Sequence, residues 1–181
     1  SRYSEIMQAL RDLGSEYQVA DAVKEGLEKA DCYDDLDICR FILWRYEEHL
    51  ARIAGRGATV DEHVRRDVWQ LRAADSIEHI FPQNPEQGGA WEGKMRRGEE
   101  PAVEHWKHVN RIGNLILLPM PLNSESKRSG FDQKKAIYER HNLRMVREIL
   151  SEGQWTLSEI ERRENAIMEW AETEWSDLGT D

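Results

Sequence analysis

The chain has 181 residues, and its 25 basic and 35 acidic side chains give a formal net charge of -10. Its longest apolar run, residues 116–122, is far shorter than the roughly 20 residues that cross a bilayer, which excludes a membrane-spanning protein. Two cysteines, Cys32 and Cys39, are too few for a disulfide framework or a four-ligand zinc site. We therefore expect a cytoplasmic protein, and the start at Ser1 suggests a fragment of a longer one.

Helical spacing dominates the first part of the chain. Apolar residues recur at three- and four-residue intervals in the stretches 6–13, 19–27 and 38–50. A capping box at 59–62 predicts a further short helix that contains Val68. We assign residues 1–74 to an N-terminal helical region.

The pattern then changes. Residues 75–82 alternate polar and apolar side chains and end at a proline, which predicts a short strand, and residues 112–118 predict a second one. A loop rich in glycine and proline, 83–104, lies between them. A basic amphipathic helix is predicted from about 131 to 150, and a capping box at 158–161 begins a last helix.

This order of elements predicts a mainly α fold. We expect a helical domain that encloses a small ββα unit at 75–150 and is closed by a helical segment at 151–181. Two strands alone are marginally stable, so they must pack against the surrounding helices.

Positive charge is concentrated in one central segment. Residues 105–147 carry nine basic and three acidic side chains, a net charge of +6 within a chain of net charge -10. A local excess of cations favours contact with a phosphate backbone, although a solvated helix face produces the same pattern. Trp91 and Trp106 could stack on bases, but packing in the core or anchoring of a loop is the commoner role of tryptophan.

Four side chains around the predicted strands suggest hydrolytic chemistry. His79 follows Glu78 near the end of the first strand, and a histidine titrates in the range that suits a general base. Asn114 begins the second strand, and Asn123 precedes the basic helix. Carboxylate and amide oxygens are ligands that suit Mg²⁺ or Mn²⁺, so the set predicts metal-assisted phosphodiester hydrolysis. Taken singly, each residue also has a structural explanation as a core histidine, a turn asparagine or a helix cap.

The combination resembles a known family. Residues 77–83, 112–118 and 122–124, with Phe131 and Lys134, are similar to an HNH nuclease, which has a ββα-metal (His-Me) finger. More narrowly, they resemble the C-terminal HNH domain of the GmrSD and SspE group of bacterial DNA-restriction proteins.

The resemblance implies a role for each residue. His79 matches the general base that activates water, and Asn114 matches the asparagine that braces the loop between the strands. Asn123 matches the third residue of the HNH triad, a metal ligand, and Glu78 matches an acidic ligand position that is usually Asp. The implied cofactor is Mg²⁺ or Mn²⁺. We predict Lys127 and Lys134 as phosphate contacts from their charge and position alone.

The resulting hypothesis is a metal-dependent DNA endonuclease domain of a bacterial anti-phage restriction protein. One active site implies nicking, with double-strand breaks only through a homodimer or repeated nicking. The implied partners are double-stranded DNA and an N-terminal domain of the same protein that hydrolyses nucleotides and senses DNA modification. The alternatives are a non-catalytic DNA-binding or docking module, an RNA-cleaving nuclease and a purely structural helical bundle.

Overall fold

The computed structural model describes residues 4–6, 32–55, 60, 62–70, 72–120 and 122–175. The predicted helical stretch 19–27 lies outside these residues, as do residues 7–13 of the stretch 6–13 and Thr59 of the first capping box. Helices account for most of the described chain and accompany one small sheet, so the predicted mainly α class is confirmed. In the described part, no helix is both long enough and apolar enough to span a bilayer.

The first long helix, α1, spans Leu36–Ile53. The carboxylate of its N-cap, Asp35, accepts hydrogen bonds from two main-chain N–H groups of the first turn, at 3.1 and 3.2 Å. The buried face is centred on Cys39 and Leu43, which are both fully buried, so Ile38 is turned outward and is 45% exposed. The apolar stretch 38–50 predicted Ile38 as its first inward-facing residue, but the buried face of α1 begins one residue later, at Cys39.

Two short helices follow, α2 at Glu62–Gln70 and α3 at Ala73–Ser76. The predicted helix through Val68 is therefore present, with Val68 fully buried. Helix α3 occupies the first two residues of the stretch that was predicted to be a strand.

The sheet consists of β1, Ile77–His79, and β2, Leu115–Leu117, in antiparallel pairing. Both strands are shorter than predicted, because residues 112–114 form a 3₁₀ turn and residues 80–82 bend away from the sheet. The Ile80 N–H still donates to the Asn114 carbonyl at 3.0 Å, but beyond that point the pairing ends. All six strand residues are buried.

After the sheet come α4 at Leu122–Ser126, α5 at Phe131–Tyr138 and α6 at Arg144–Leu150. The single helix predicted over 131–150 is thus two helices. A tertiary contact stabilises the separate start of α6, since the buried Glu47 carboxylate of α1 accepts hydrogen bonds from the first two N–H groups of α6 at 2.8 and 2.9 Å. These N–H groups have no partner within the helix, and Glu47 satisfies them.

The last helix, α7, spans Leu157–Glu174. Its capping box uses Thr156 and Glu159 and not the predicted 158–161, with the Thr156 N–H donating to the Glu159 carboxylate at 2.8 Å. Helix α7 packs against the 3₁₀ turn at Ile112–Asn114. Buried hydrophobic side chains from α1, both strands, α6 and α7 belong to one core cluster, which places the sheet inside a helical shell.

Candidate active site

His79 is the last residue of β1 and is 7% exposed. Its Nε2 lies 2.9 Å from Asn110 Oδ1, and Gln83 Nε2 donates to the same oxygen at 3.1 Å. An amide oxygen only accepts hydrogen bonds, so Nε2 carries the proton and Nδ1 holds the lone pair. The Tyr33 ring packs edge-on against the imidazole, with 4.5 Å between ring centroids. These contacts define one ring orientation and one tautomer.

The charge state of His79 follows from its burial. Burial lowers the pKa of His79 from 6.5 to about 4, the hydrogen bond to Asn110 partly opposes this shift, and the Lys134 ammonium adds to it. The imidazole is therefore neutral at pH 7, and its Nδ1 carries the lone pair that a general base uses.

Asn114 holds the chain where it leaves β1. Its Oδ1 accepts hydrogen bonds from the Phe81 N–H at 2.8 Å and from Trp155 Nε1 at 3.0 Å. Its Nδ2 donates to the carbonyls of Phe81 at 2.9 Å and Val109 at 2.7 Å. All four hydrogen-bonding positions of the amide are thus used. Asn114 fixes both ends of the segment that connects the strands.

The Glu78 carboxylate lies in a buried polar cluster whose side chains are not the hydrogen-bond partners of the His79 imidazole. Its Oε1 accepts hydrogen bonds from Lys134 Nζ and Ser126 Oγ, both at 2.5 Å, and from the Tyr138 hydroxyl at 3.1 Å. Lys134 Nζ also donates to the His79 carbonyl at 2.6 Å. Lys134 therefore joins α5 to both residues of β1.

The structure does not support the predicted phosphate contact of Lys134. Its side chain is fully buried, and its ammonium is occupied by Glu78 and the His79 carbonyl. Lys127 is exposed in the turn after α4, next to the exposed Arg128. Its contact with phosphate remains a prediction.

Asn123 is the second residue of α4 and is half-buried. Its Nδ2 donates to the carbonyls of Ile77 at 3.0 Å and Asp75 at 3.3 Å, which holds the amide beside β1. Since both N–H groups have partners, the remaining polar atom of the amide is Oδ1.

The donor atoms near β1 are compatible with a divalent cation. In the described residues, no group of three or more His, Cys, Asp or Glu side chains is arranged to hold a metal ion. However, the hydrogen bonds of Glu78 all fall on Oε1, so Oε2 and the Oδ1 of Asn123 are two hard oxygen donors from neighbouring elements. Mg²⁺ commonly binds through one or two such side chains and keeps several waters, so these two donors are of the chemical kind that Mg²⁺ or Mn²⁺ takes.

Sequence reasoning missed Asn110 and Gln83, which orient His79. Both were visible in the sequence, Gln83 at the end of the 77–83 segment and Asn110 four residues before Asn114. Asn110 is 31 residues from His79 and 27 residues from Gln83 in the chain, and no local sequence pattern indicates contacts over such distances.

The fold and this site define a small helical domain with a neutral, oriented histidine at the edge of a two-stranded sheet. Comparison with protein families matches residues 17–170 to the family described as GmrSD restriction endonucleases, C-terminal domain. The match covers more than half of the chain, so the chain belongs to this family, as its resemblance predicted. The comparisons with curated proteins and with solved structures gave no match.

Proposed function

We propose that this chain is an HNH-type DNA endonuclease domain in which His79 activates water to hydrolyse a phosphodiester. The observation that carries the proposal is the neutral His79 imidazole, held by Asn110, in a chain of a restriction endonuclease family. In this proposal β1, β2 and α5 form the ββα unit at 75–150, between the helical regions 1–74 and 151–181.

The reaction uses the free nitrogen of the imidazole. A water molecule gives its proton to His79 Nδ1 while its oxygen bonds to phosphorus, and the bond from phosphorus to the 3′ oxygen breaks. The hydrogen bond from Nε2 to Asn110 becomes stronger as the ring gains positive charge, because charge-assisted hydrogen bonds are stronger than neutral ones.

The other residues position these groups. Asn114 holds the segment that follows His79, Glu78 and Asn123 hold Mg²⁺ or Mn²⁺, and Lys127 contacts phosphate. When bound, the cation supplies positive charge that stabilises the developing negative charge on the phosphate. Lys134 is a positioning residue for Glu78 in this scheme, since its ammonium holds Oε1.

We propose the biological setting from the resemblance to this family. The domain acts in the bacterial cytoplasm on double-stranded DNA during restriction of phage. It works with an N-terminal domain that hydrolyses nucleotides and senses DNA modification. A single site cuts one strand at a time, so we expect nicks first, with double-strand breaks through repeated nicking or a homodimer.

The test is cleavage of supercoiled plasmid in Mg²⁺, in Mn²⁺ and in EDTA. We expect open circles that require a divalent metal and that are lost with His79→Ala. His63→Ala removes an exposed histidine of α2 and is the matched control, with activity expected to be retained.

Other products discriminate among the alternatives. Linear DNA at the earliest times would contradict nicking but not the nuclease. Cleavage of RNA in preference to DNA would identify an RNA-cleaving nuclease. DNA binding without cleavage, both by this chain and by the full-length protein, would identify a non-catalytic module.

A further inference from the structure

Trp106 is unusually exposed for its size. The chain has seven tryptophans, all within the described residues, and six of them are buried or half-buried. Trp106 is 63% exposed. Packing in the core therefore does not explain this indole, and large exposed apolar groups often mark contact sites.

Hydrogen bonds connect the position of Trp106 to His79. Trp106 is the middle residue of the 3₁₀ turn His105–Lys107. His105 Nε2 lies 2.9 Å from the Gln83 carbonyl, and the Gln83 side chain donates to Asn110, the partner of His79. The exposed indole is thus on a turn anchored to the residues that orient the proposed base.

The aromatic face of the indole, and not a neighbouring charge, indicates a base as its partner on the proposed DNA substrate. Lys107 Nζ lies 5.2 Å from the centre of the Trp106 ring, and this side chain is 55% exposed and paired with Glu104 at 2.6 Å. The Lys107 ammonium is therefore neutralised by Glu104, so the indole ring is the group that offers a contact. Bases of single-stranded nucleic acid stack on exposed aromatic side chains of this kind.

We propose that Trp106 stacks on an unpaired base next to the phosphate that is cut. The substrate class would then be DNA that is locally unpaired at the cleavage site. In an intact duplex the faces of each base are covered by neighbouring bases, so the indole finds a partner only where a base has left the stack. This inference rests on the proposed function, because it takes the region around His79 as the cleavage site.

The experiment measures binding of three labelled duplexes by His79→Ala protein, which leaves the DNA intact. One duplex is fully paired, one has a single unpaired adenine, and one has an abasic residue in place of that adenine. We expect Trp106→Ala to weaken binding of the unpaired adenine duplex about 5- to 100-fold and to leave the abasic duplex unchanged. Trp106→Phe should retain part of the affinity, and Trp106→Leu should not, since leucine has no aromatic face.

Ile53→Ala is the matched control, because Ile53 is 66% exposed at the end of α1 and should leave all three affinities unchanged. Equal affinities of Trp106→Ala and its parent for the unpaired adenine duplex would overturn the proposal. An equal loss on all three duplexes would also overturn it, since it would indicate a backbone contact. Plasmid cleavage by the wild-type chain and by the full-length protein is measured separately, so absence of cleavage by both with stacking present would contradict only the proposed function.

Discussion

At the scale of residues, burial and directed hydrogen bonds determine the chemistry of β1. Successive strand residues point to opposite sides. The Glu78 carboxylate therefore faces Lys134, Ser126 and Tyr138, while the His79 imidazole faces Asn110. The adjacency of Glu78 and His79 in sequence predicted a carboxylate beside the base. In the structure the two side chains have different hydrogen-bond partners, while Lys134 donates both to the Glu78 carboxylate and to the His79 carbonyl.

The buried pair of Glu78 and Lys134 predicts a large stability effect. Lys134→Met leaves the Glu78 carboxylate buried without its cation, and breaking a buried ion pair typically costs about 3–5 kcal/mol. We expect a loss of this size in the free energy of unfolding, measured by urea denaturation. Lys127→Met removes an exposed lysine and should change it by less than about 0.5 kcal/mol.

The double variant tests the cause of that loss. Adding Glu78→Gln to Lys134→Met removes the unpaired charge, so we expect part of the lost stability to return. If Lys134→Met instead weakened DNA binding and left stability unchanged, Lys134 would be a phosphate contact as its charge first suggested.

At the scale of elements, contacts from distant segments set where helices and strands begin and end. The apolar spacing over 131–150 continues through the break between α5 and α6, so the pattern predicted one helix. Glu47, about a hundred residues earlier, supplies the hydrogen-bond acceptors that allow α6 to begin separately. In the same way, the short β1 ends where the Asn114 side chain binds both main-chain polar groups of Phe81.

Helix α7 and the 3₁₀ turn before β2 approach so closely that the contact requires glycine at 113. A Cβ there would collide with the Ile160 carbonyl and lie 2.9 Å from the Glu164 Cβ. Arg163 of α7 strengthens this contact, since its Nη1 donates to the carbonyls of Gly113 at 2.9 Å and Leu115 at 2.8 Å.

Gly113→Ala should therefore destabilise the fold. We expect the free energy of unfolding to fall by about 1–3 kcal/mol or more, and the thermal midpoint to fall with it, because α7 must shift away from the turn. Gly153→Ala is the control, since a Cβ there meets no atom within 4 Å. Equal midpoints for the two variants would show that α7 accommodates the methyl group by a small movement.

At the scale of the whole molecule, a buried histidine, His79, and a half-buried one, His141, couple folding to pH. Burial lowers the pKa of His79 to about 4 and also lowers the pKa of His141. In the unfolded chain these groups take up protons near pH 6.5, so at mildly acidic pH the unfolded state binds more protons than the folded state. The stability that they provide is therefore present above about pH 6.5 and is lost as the pH falls.

For His79 the window runs from about pH 6.5 down to about pH 4. We expect the free energy of unfolding to fall by about 2 kcal/mol between pH 8 and pH 5 because of this one group, from the shift of its pKa. Urea denaturation of wild type and His79→Gln at both pH values measures the difference, and the variant should lack this part of the slope. His63→Gln, at an exposed site, should show the same pH dependence of the free energy of unfolding as wild type. Parallel slopes for wild type and His79→Gln would contradict a buried, neutral imidazole at position 79.

The sequence by itself determined the mainly helical class, the two short strands in order, the family, and the identity of His79, Asn114 and Asn123 as candidates. These follow from local periodicity and from motif residues close together in the chain. The tertiary structure alone assigned Asn110 to His79 and Lys134 to Glu78, and it separated α5 from α6. Each of these depends on hydrogen bonds and ion pairs between positions 30 or more residues apart. Such partners meet only in the folded chain, where burial makes an unpaired polar group costly.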